Sequence, residues 1–167
     1  MTEKKILDVT CANRSIWFNK HHPNAVYCDI REEKIEQRFG INQSLHTIDI
    51  KPDVVCDFTD LPFDDSSFSL VVFDPPHISG LSTKSWLSKH YGVLAGDWQE
   101  VVGNGFKECM RVLKPEGVLI MKWADTSVST PDLIKVIGQP LFGHRSGKKM
   151  GTHWLTYMKL TNERETA

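Results

Sequence analysis

The run LPFDDSSFSLVVFDPPH (61–77) has three parts. A polar turn, Asp64 to Ser67, leads into the apolar stretch FSLVVFD (68–74), and Pro75-Pro76 stops it. An apolar run of this kind suits a strand in the middle of a parallel sheet, covered on both faces. Proline has no N–H and a fixed φ, so the two prolines end the ladder and stiffen the turn that follows. Upstream lie three similar runs, ILDVTC (6–11), AVYCDI (25–30) and DVVCDF (53–58), and downstream GVLIMKW (117–123). Each is short and rich in β-branched or aromatic residues. Helical patterns intervene, which predicts parallel strands joined by crossovers in one α/β domain spanning 1–167.

The intervening segments are less uniform. RSIWFNKHH (14–22) reads as a helix with Ile16 and Trp17 inward, ended by Pro23-Asn24. EEKIEQRFG (32–40) carries Ile35 and Phe39 four apart before a Gly, the pattern of a short helix. INQSLHTIDI (41–50) is ambiguous and fits an extra strand. The segment 78–96 is rich in Gly and Ser with scattered aromatics and reads as a loop or lid. DWQEVVGNGFKECMRVL (97–113) is a helix with Asp97 at its N-cap. TPDLIKVIG (130–138) is another, with Thr130 at the N-cap, Pro131 at N1 and Gly138 at the end. LFGHRSGKKMGTHWLTYMKL (141–160) reads as a hairpin, with Lys148 and Lys149 at its turn as either a charged surface or a phosphate contact.

Composition narrows the function classes. The 167 residues carry 40% hydrophobic and 25% charged side chains and a net charge of -1, so no global basic field draws the chain to nucleic acid, although a local patch suffices. The four cysteines, at 11, 28, 56 and 109, show no Cys-x-x-Cys spacing, so no metal site is expected. The polar start, MTEKKILDV, does not read as a signal peptide, and no apolar run approaches a membrane span. A cytoplasmic protein with no membrane partner is the expectation. No Gly-x-Gly-x-x-Gly follows the first strand, which disfavours a dehydrogenase, and no Gly-x-Ser-x-Gly marks a serine hydrolase.

Ligands of an open parallel sheet bind at the carboxyl ends of the strands. The residues there are Asp8 with Thr10 to Arg14, Asp29, Asp57, Asp74 to His77, and Lys122 to Asp125. Acids recur at or near successive strand ends. This arrangement resembles the class I S-adenosylmethionine-dependent methyltransferases over nearly the whole chain. ILDVTCANRS resembles the family's first motif, the strand, acid and tight loop under the methionine moiety. The 21 residues from Asp8 to Asp29 are similar to the family's distance to the acid that holds the ribose hydroxyls. VVCDFTDLPFDDSSFSLVVFDPPH resembles the third and fourth motifs, and RVLKPEGVLIMKW the turn into the fifth strand. The resemblance implies a Rossmann-like methyltransferase fold, a mostly parallel seven-stranded sheet with a C-terminal antiparallel hairpin. It implies S-adenosyl-L-methionine as cofactor, bound by Asp8, Thr10, Cys11, Ala12, Asn13, Arg14, Asp29, Ile30, Asp57, Phe58 and Asp74.

The chemistry suits these residue types. One carboxylate accepts from both ribose hydroxyls, with Asp29 the candidate and Asp49 its rival. Asp57 suits the adenine amino donor. Backbone amides at a strand-to-helix turn hold a carboxylate, and Arg14 is a candidate to join them. The first loop, unlike the family's usual one, has no Gly, and Asn13 is the residue expected to take any positive φ there. Asp74, Pro75, Pro76 and His77 resemble the catalytic motif of the methyltransferases that modify amino nitrogens conjugated to a ring or carbonyl, of N6-adenine or N4-cytosine type. Such a nitrogen is a poor nucleophile. Acceptors on a rigid turn take its N–H bonds and favour the tetrahedral geometry of methyl transfer. His77 stands where the family stacks an aromatic on the acceptor. The expected substrate is a nucleic-acid base, DNA or RNA. The alternatives are a protein amide or small molecule at the same site, or a non-catalytic methyltransferase-like partner subunit. No target-recognition domain is evident. A monomer or small homo-oligomer, with a partner subunit for target recognition, is the expected assembly.

Overall fold

The computed structural model describes residues 4–39, 41–80, 82, 85–94, 96–146 and 151–161. Its strands are β1 (Ile6–Asp8), β2 (Ala25–Asp29), β3 (Glu33–Phe39), β4 (Ser44–Ile50), β5 (Val54–Val55), β6 (Phe68–Phe73), β7 (Leu113–Ala124), β8 (Phe142–Ser146) and β9 (Thr152–Met158). The helices are α1 (Trp86–Tyr91), α2 (Trp98–Val112) and α3 (Thr130–Ile137). Seven strands form one sheet in the order β5-β2-β1-β6-β7-β9-β8. All neighbours pair in parallel except β9, which runs antiparallel to both β7 and β8. The expected α/β sheet with its C-terminal hairpin is therefore present. The turn with Lys148 and Lys149 lies outside the described residues.

Helix α2 starts on Asp97, whose side chain accepts from Gln99 N at 2.9 Å. Its buried residues, Val102, Gly105, Cys109 and Val112, recur at three and four, the stripe of a helix lying on a core. Helix α3 is capped by Ser129 rather than Thr130, which is already the first helical residue. These two helices share one core with Val71, Phe73, Leu119, Met121 and Trp123. The ladder sets Leu70, Val72, Val118 and Ile120 on the opposite face, where they are only half-buried. The apolar run of β6 is thus fully covered on one face, not both.

Two expected helices are absent. Residues 14–22 form successive turns. Arg14 donates to Lys20 O at 2.7 Å, the Asn19 side chain accepts from His21 N at 3.0 Å, and the Trp17 indole reaches back to Asp8 at 2.7 Å. Side chains serve this backbone in place of an i→i−4 ladder. Strands β3 and β4 pair antiparallel as a hairpin, with Ile35 opposite Ile48. Residues four apart share a face in a strand as well as in a helix, so Ile35 and Phe39 fit both periods. Buried Ile48 and Ile50 settle it as period two. The third strand shrinks to β5, two residues.

Gly105 lets α2 approach the site. A Cβ there would stand 2.4 Å from the Phe58 ring and 3.0 Å from Phe73. Gly105→Ala is expected to cost about 1–3 kcal/mol through this overpacking, despite the better helix propensity of alanine. Urea denaturation measures it, and a more stable variant would show that Phe58 yields freely.

Candidate active site

The carboxyl ends of β1, β2 and β6 converge on one cavity. Thr10 to Asn13, Asp29 to Arg31, Phe58 and Asp74 to His77 line it, with His90 and Gly92 contributed from around α1. Of the residues read from the sequence, it brings together Thr10, Cys11, Ala12, Asn13, Asp29, Ile30, Phe58, Asp74, Pro75, Pro76 and His77. Helix α1 and the β3–β4 hairpin hold to each other beside it. Lys89 donates to the Gln37 side chain at 3.0 Å, and the rings of His46 and Trp86 meet edge to face. The enclosed volume is about 70 Å³. Pockets for drug-sized ligands run to roughly 300–1,000 Å³, so the cavity is narrow by comparison.

The Gly-free loop after β1 turns tightly all the same. Ala12 (φ 42°) and Arg14 (φ 56°) take the left-handed conformation, not Asn13. Both are held there. Ala12 N donates to Asp29 Oδ2 at 2.9 Å. The Arg14 guanidinium lies 3.8 Å over the Tyr27 ring and donates to Lys20 O and Lys51 O. These contacts direct it away from the cavity, into a second groove with Lys20, His21, Asp49 and Asp53. Asn13 stays in the cavity wall. Its Oδ1 is buried with no hydrogen-bond partner among the described residues.

Asp29 is buried, and its Oδ1 accepts from Arg31 N at 2.9 Å and Nε at 3.2 Å. Asp49, its rival, is an exposed residue of β4 and opens onto the second groove instead. Asp57 lies outside the cavity lining and caps its own turn, accepting from Thr59 N and Oγ1 at 2.8 Å each. Asp8 sits beneath the loop, accepting from the Trp17 indole at 2.7 Å and from Thr10 N at 3.2 Å. Burial pushes its carboxyl up from 3.8 to about 7, against these two donors, and the charges of Asp74 and Asp29 add to the rise. The folded state therefore holds a proton on Asp8 between about pH 4 and 7 that the unfolded chain has released. Stability from this group falls as pH rises through that window. The difference in unfolding free energy between wild type and Asp8→Asn is expected to shrink by up to about 4 kcal/mol from pH 4 to pH 7. Denaturant titrations across this range measure it, and a flat difference would mean that Asp8 stays ionised in the folded protein.

At the end of β6, Asp74 N donates to Thr10 Oγ1 at 2.8 Å, which ties the Pro-Pro turn to the first loop. Asp74 Oδ2 accepts from Lys122 Nζ at 2.6 Å, and both side chains are mostly buried, 16% and 19% exposed. The His77 ring lies with Nδ1 3.4 Å from Pro75 O and edge to face against Trp123. Burial holds the His77 imidazole below the usual histidine range, so it is neutral near pH 7. Trp123 is fully buried and donates to Val128 O at 3.0 Å, a packing role that leaves no face for stacking a ligand.

No protein-family model and no curated protein matches the chain. Solved structures do. An S-adenosylmethionine-dependent methyltransferase from Methanosarcina mazei is 15% identical, with a TM-score of 0.59 over 97% of this chain and 95% of that one. This is the Rossmann-like methyltransferase fold. An rRNA methylase from Streptococcus thermophilus matches at 11% identity and a TM-score of 0.55, over 95% and 89% of the two chains. The 1,6-didemethyltoxoflavin-N1-methyltransferase of Burkholderia thailandensis, solved with S-adenosylhomocysteine, matches at 11% identity and 0.52, over 93% and 71%.

Within this methyltransferase fold the structure adds roles that the sequence did not assign. Lys122 is one. Its only signal was a cation closing an apolar strand, and its partner lies 48 positions away. Arg31 holds Asp29 and reaches Lys89 O at 2.8 Å, linking the second strand end to α1. Trp17 serves the buried Asp8. The described residues contain no helix long and apolar enough to cross a membrane.

Proposed function

We propose that this chain is an S-adenosylmethionine-dependent methyltransferase acting on an amino nitrogen conjugated to a ring, with a nucleic-acid base as acceptor. The observation that carries it is Asp74. A carboxylate at the end of the fourth parallel strand, fixed by Thr10 and Lys122, opens with the rigid Pro75-Pro76 turn onto the cavity of the first loop.

The residues present fit the cofactor. The buried, unpartnered Asn13 Oδ1 suits an ammonium donor, such as that of the methionine moiety. Asp29 suits the ribose hydroxyls, with Arg31 Nε yielding one lone pair. Phe58 and Ile30 offer apolar contact to the adenine. With Asp57 turned to Thr59, recognition of the adenine amino group falls to the backbone beside it. Asp29 and Asp74 bring carboxylates to the cavity, which suits the sulfonium.

When bound, S-adenosylmethionine supplies an electrophilic methyl group: the acceptor nitrogen's lone pair forms the N–C bond while the C–S electron pair leaves with sulfur. The chain's part is orientation and electrostatics. Asp74 accepts one N–H of the acceptor amine and the Pro75 carbonyl the other, which turns the lone pair toward the methyl. The methylated nitrogen then releases its surplus proton to solvent. The proline pair keeps both acceptors in place before the reaction, so little reorganisation is needed.

Titration calorimetry with S-adenosylhomocysteine tests the cofactor assignment. Micromolar binding with thermal stabilisation is expected. No heat and no shift in melting temperature at millimolar ligand would leave the non-catalytic partner subunit as the better reading.

A further inference from the structure

Asp74 and Lys122 stand side by side at the carboxyl ends of β6 and β7, each one position beyond the ladder pair Phe73 and Met121. They share a face of the sheet, and it is the face without α2 and α3. The ion pair uses one carboxylate oxygen and one of the three ammonium hydrogens. Asp74 Oδ1 and the remaining Lys122 N–H bonds have no other partner among the described residues. Asp74 lines the cavity and Lys122 stands next to that lining, 2.6 Å from its carboxylate, so an acceptor and a cationic donor are fixed next to each other at the cavity's edge.

A single ligand edge meets both only if it offers a donor and an acceptor at matching spacing. An amino group on a ring carbon that is bonded to an unprotonated ring nitrogen has that edge. Adenine offers it at N6 and N1, cytosine at N4 and N3, and guanine at N2 and N3. Thymine and uracil have no amino group.

We infer that Lys122 is a specificity-determining residue, whose ammonium donates to the ring nitrogen beside the amino group held by Asp74, so that the acceptor is a base with an exocyclic amino group, adenine, cytosine or guanine, and not thymine or uracil. This rests on the methyltransferase reading above. The same contact explains a lysine that a merely structural ion pair does not require. Held by Oδ2, the carboxylate cannot rotate, and Oδ1 stays aimed at the amine. A ligand ring nitrogen then completes the coordination of the ammonium.

The test is methyl transfer from tritiated S-adenosylmethionine to single-stranded DNA and RNA oligonucleotides of adenine, cytosine, guanine, or thymine/uracil (the dT arm), with wild type, Lys122→Met and Lys122→Arg. Label is expected in an adenine, cytosine or guanine oligonucleotide and not in the thymine or uracil ones. For the base that takes label, 1-deazaadenine, 3-deazacytosine or 3-deazaguanine replaces the ring nitrogen by C–H. Wild type is then expected to lose about tenfold more kcat/KM on the deaza base than Lys122→Met does, because the variant has already lost that hydrogen bond. Lys122→Arg should recover part of the discrimination. Lys122→Met leaves the mostly buried Asp74 carboxylate unpaired and is expected to lower the melting temperature, so the variants are compared below their transitions and at equal S-adenosylhomocysteine occupancy. If a variant fails to fold, the preference of wild type for the parent base over its deaza analogue still decides, with less than a twofold preference counting against the inference. Equal deaza losses in wild type and Lys122→Met, or label in dT, would overturn the inference and leave the methyltransferase reading standing. No label in any oligonucleotide, with S-adenosylhomocysteine still bound, would overturn the nucleic-acid acceptor and this inference with it.

Discussion

Asp74→Ala is expected to lower kcat by about a hundredfold or more while leaving S-adenosylhomocysteine affinity within a few-fold, the pattern of a lost preorganised polar group. The side chain is only 16% exposed, its oxygen is 2.6 Å from Lys122, and its backbone N–H is tied to Thr10. Truncation removes the acceptor for the amine and leaves the Lys122 ammonium without its carboxylate. The backbone tie to Thr10 survives, so the first loop keeps its place and the cofactor still binds. The Asp74 contact to the amine strengthens as the nitrogen becomes tetrahedral, so its loss falls on the chemical step. Asp74→Asn should be milder, because an amide oxygen still accepts. His77→Phe should be tolerated if the ring only packs over the acceptor, and His77→Ala should raise the acceptor KM. Single-turnover rates on methylated product separate these effects. A Phe variant as inactive as Asp74→Ala would assign His77 a hydrogen-bonding or proton-transfer role, and the stacking role would be wrong.

Asp29→Ala should weaken S-adenosylhomocysteine binding about thirtyfold or more, since a charged acceptor for two hydroxyls is worth roughly 2–3 kcal/mol. The structure adds a second route to the same loss. Asp29 Oδ2 holds Ala12 N at 2.9 Å, and Ala12 is one of two residues that take a positive φ in the first loop. A left-handed alanine persists only where its surroundings over-determine it, so removing Asp29 also loosens the loop. Asp49→Ala, on the exposed face of β4, should change affinity little. Calorimetry on both variants checks the pair. The opposite ranking would place the ribose in the groove lined by Asp49 and Arg14 rather than in the cavity of Asp29.

The sheet was legible because each core strand is a short apolar run that ends in a polar residue, and because the runs are spaced by crossover lengths. Helices α2 and α3 were legible because their caps and stripes are local. The segment 14–22 was not. Its backbone conformation follows from where Arg14 and Trp17 find partners, Lys51 O and Asp8, and those partners come from other elements. The β3–β4 hairpin was hidden by a spacing common to both periods. In the site, Asp29 and Asp74 could be read as acids at strand ends, and both line the cavity. Asp57 and Arg14 could be read too, but their side chains are engaged elsewhere. Lys122 could not be assigned a role before β6 and β7 were paired, since only that pairing sets it beside Asp74.

The central claim is methyl transfer to a base amino nitrogen, and nucleoside mass spectrometry tests it most directly. The chain is incubated with S-adenosylmethionine and pooled DNA or RNA, and the nucleic acid is digested to nucleosides. The account predicts N6-methyladenine, N4-methylcytosine or N2-methylguanine from wild type and at least a hundredfold less from Asp74→Ala at equal cofactor occupancy. Methyl groups recovered only on protein or on small molecules, or no methylated base from a wild type that binds S-adenosylmethionine, would contradict it.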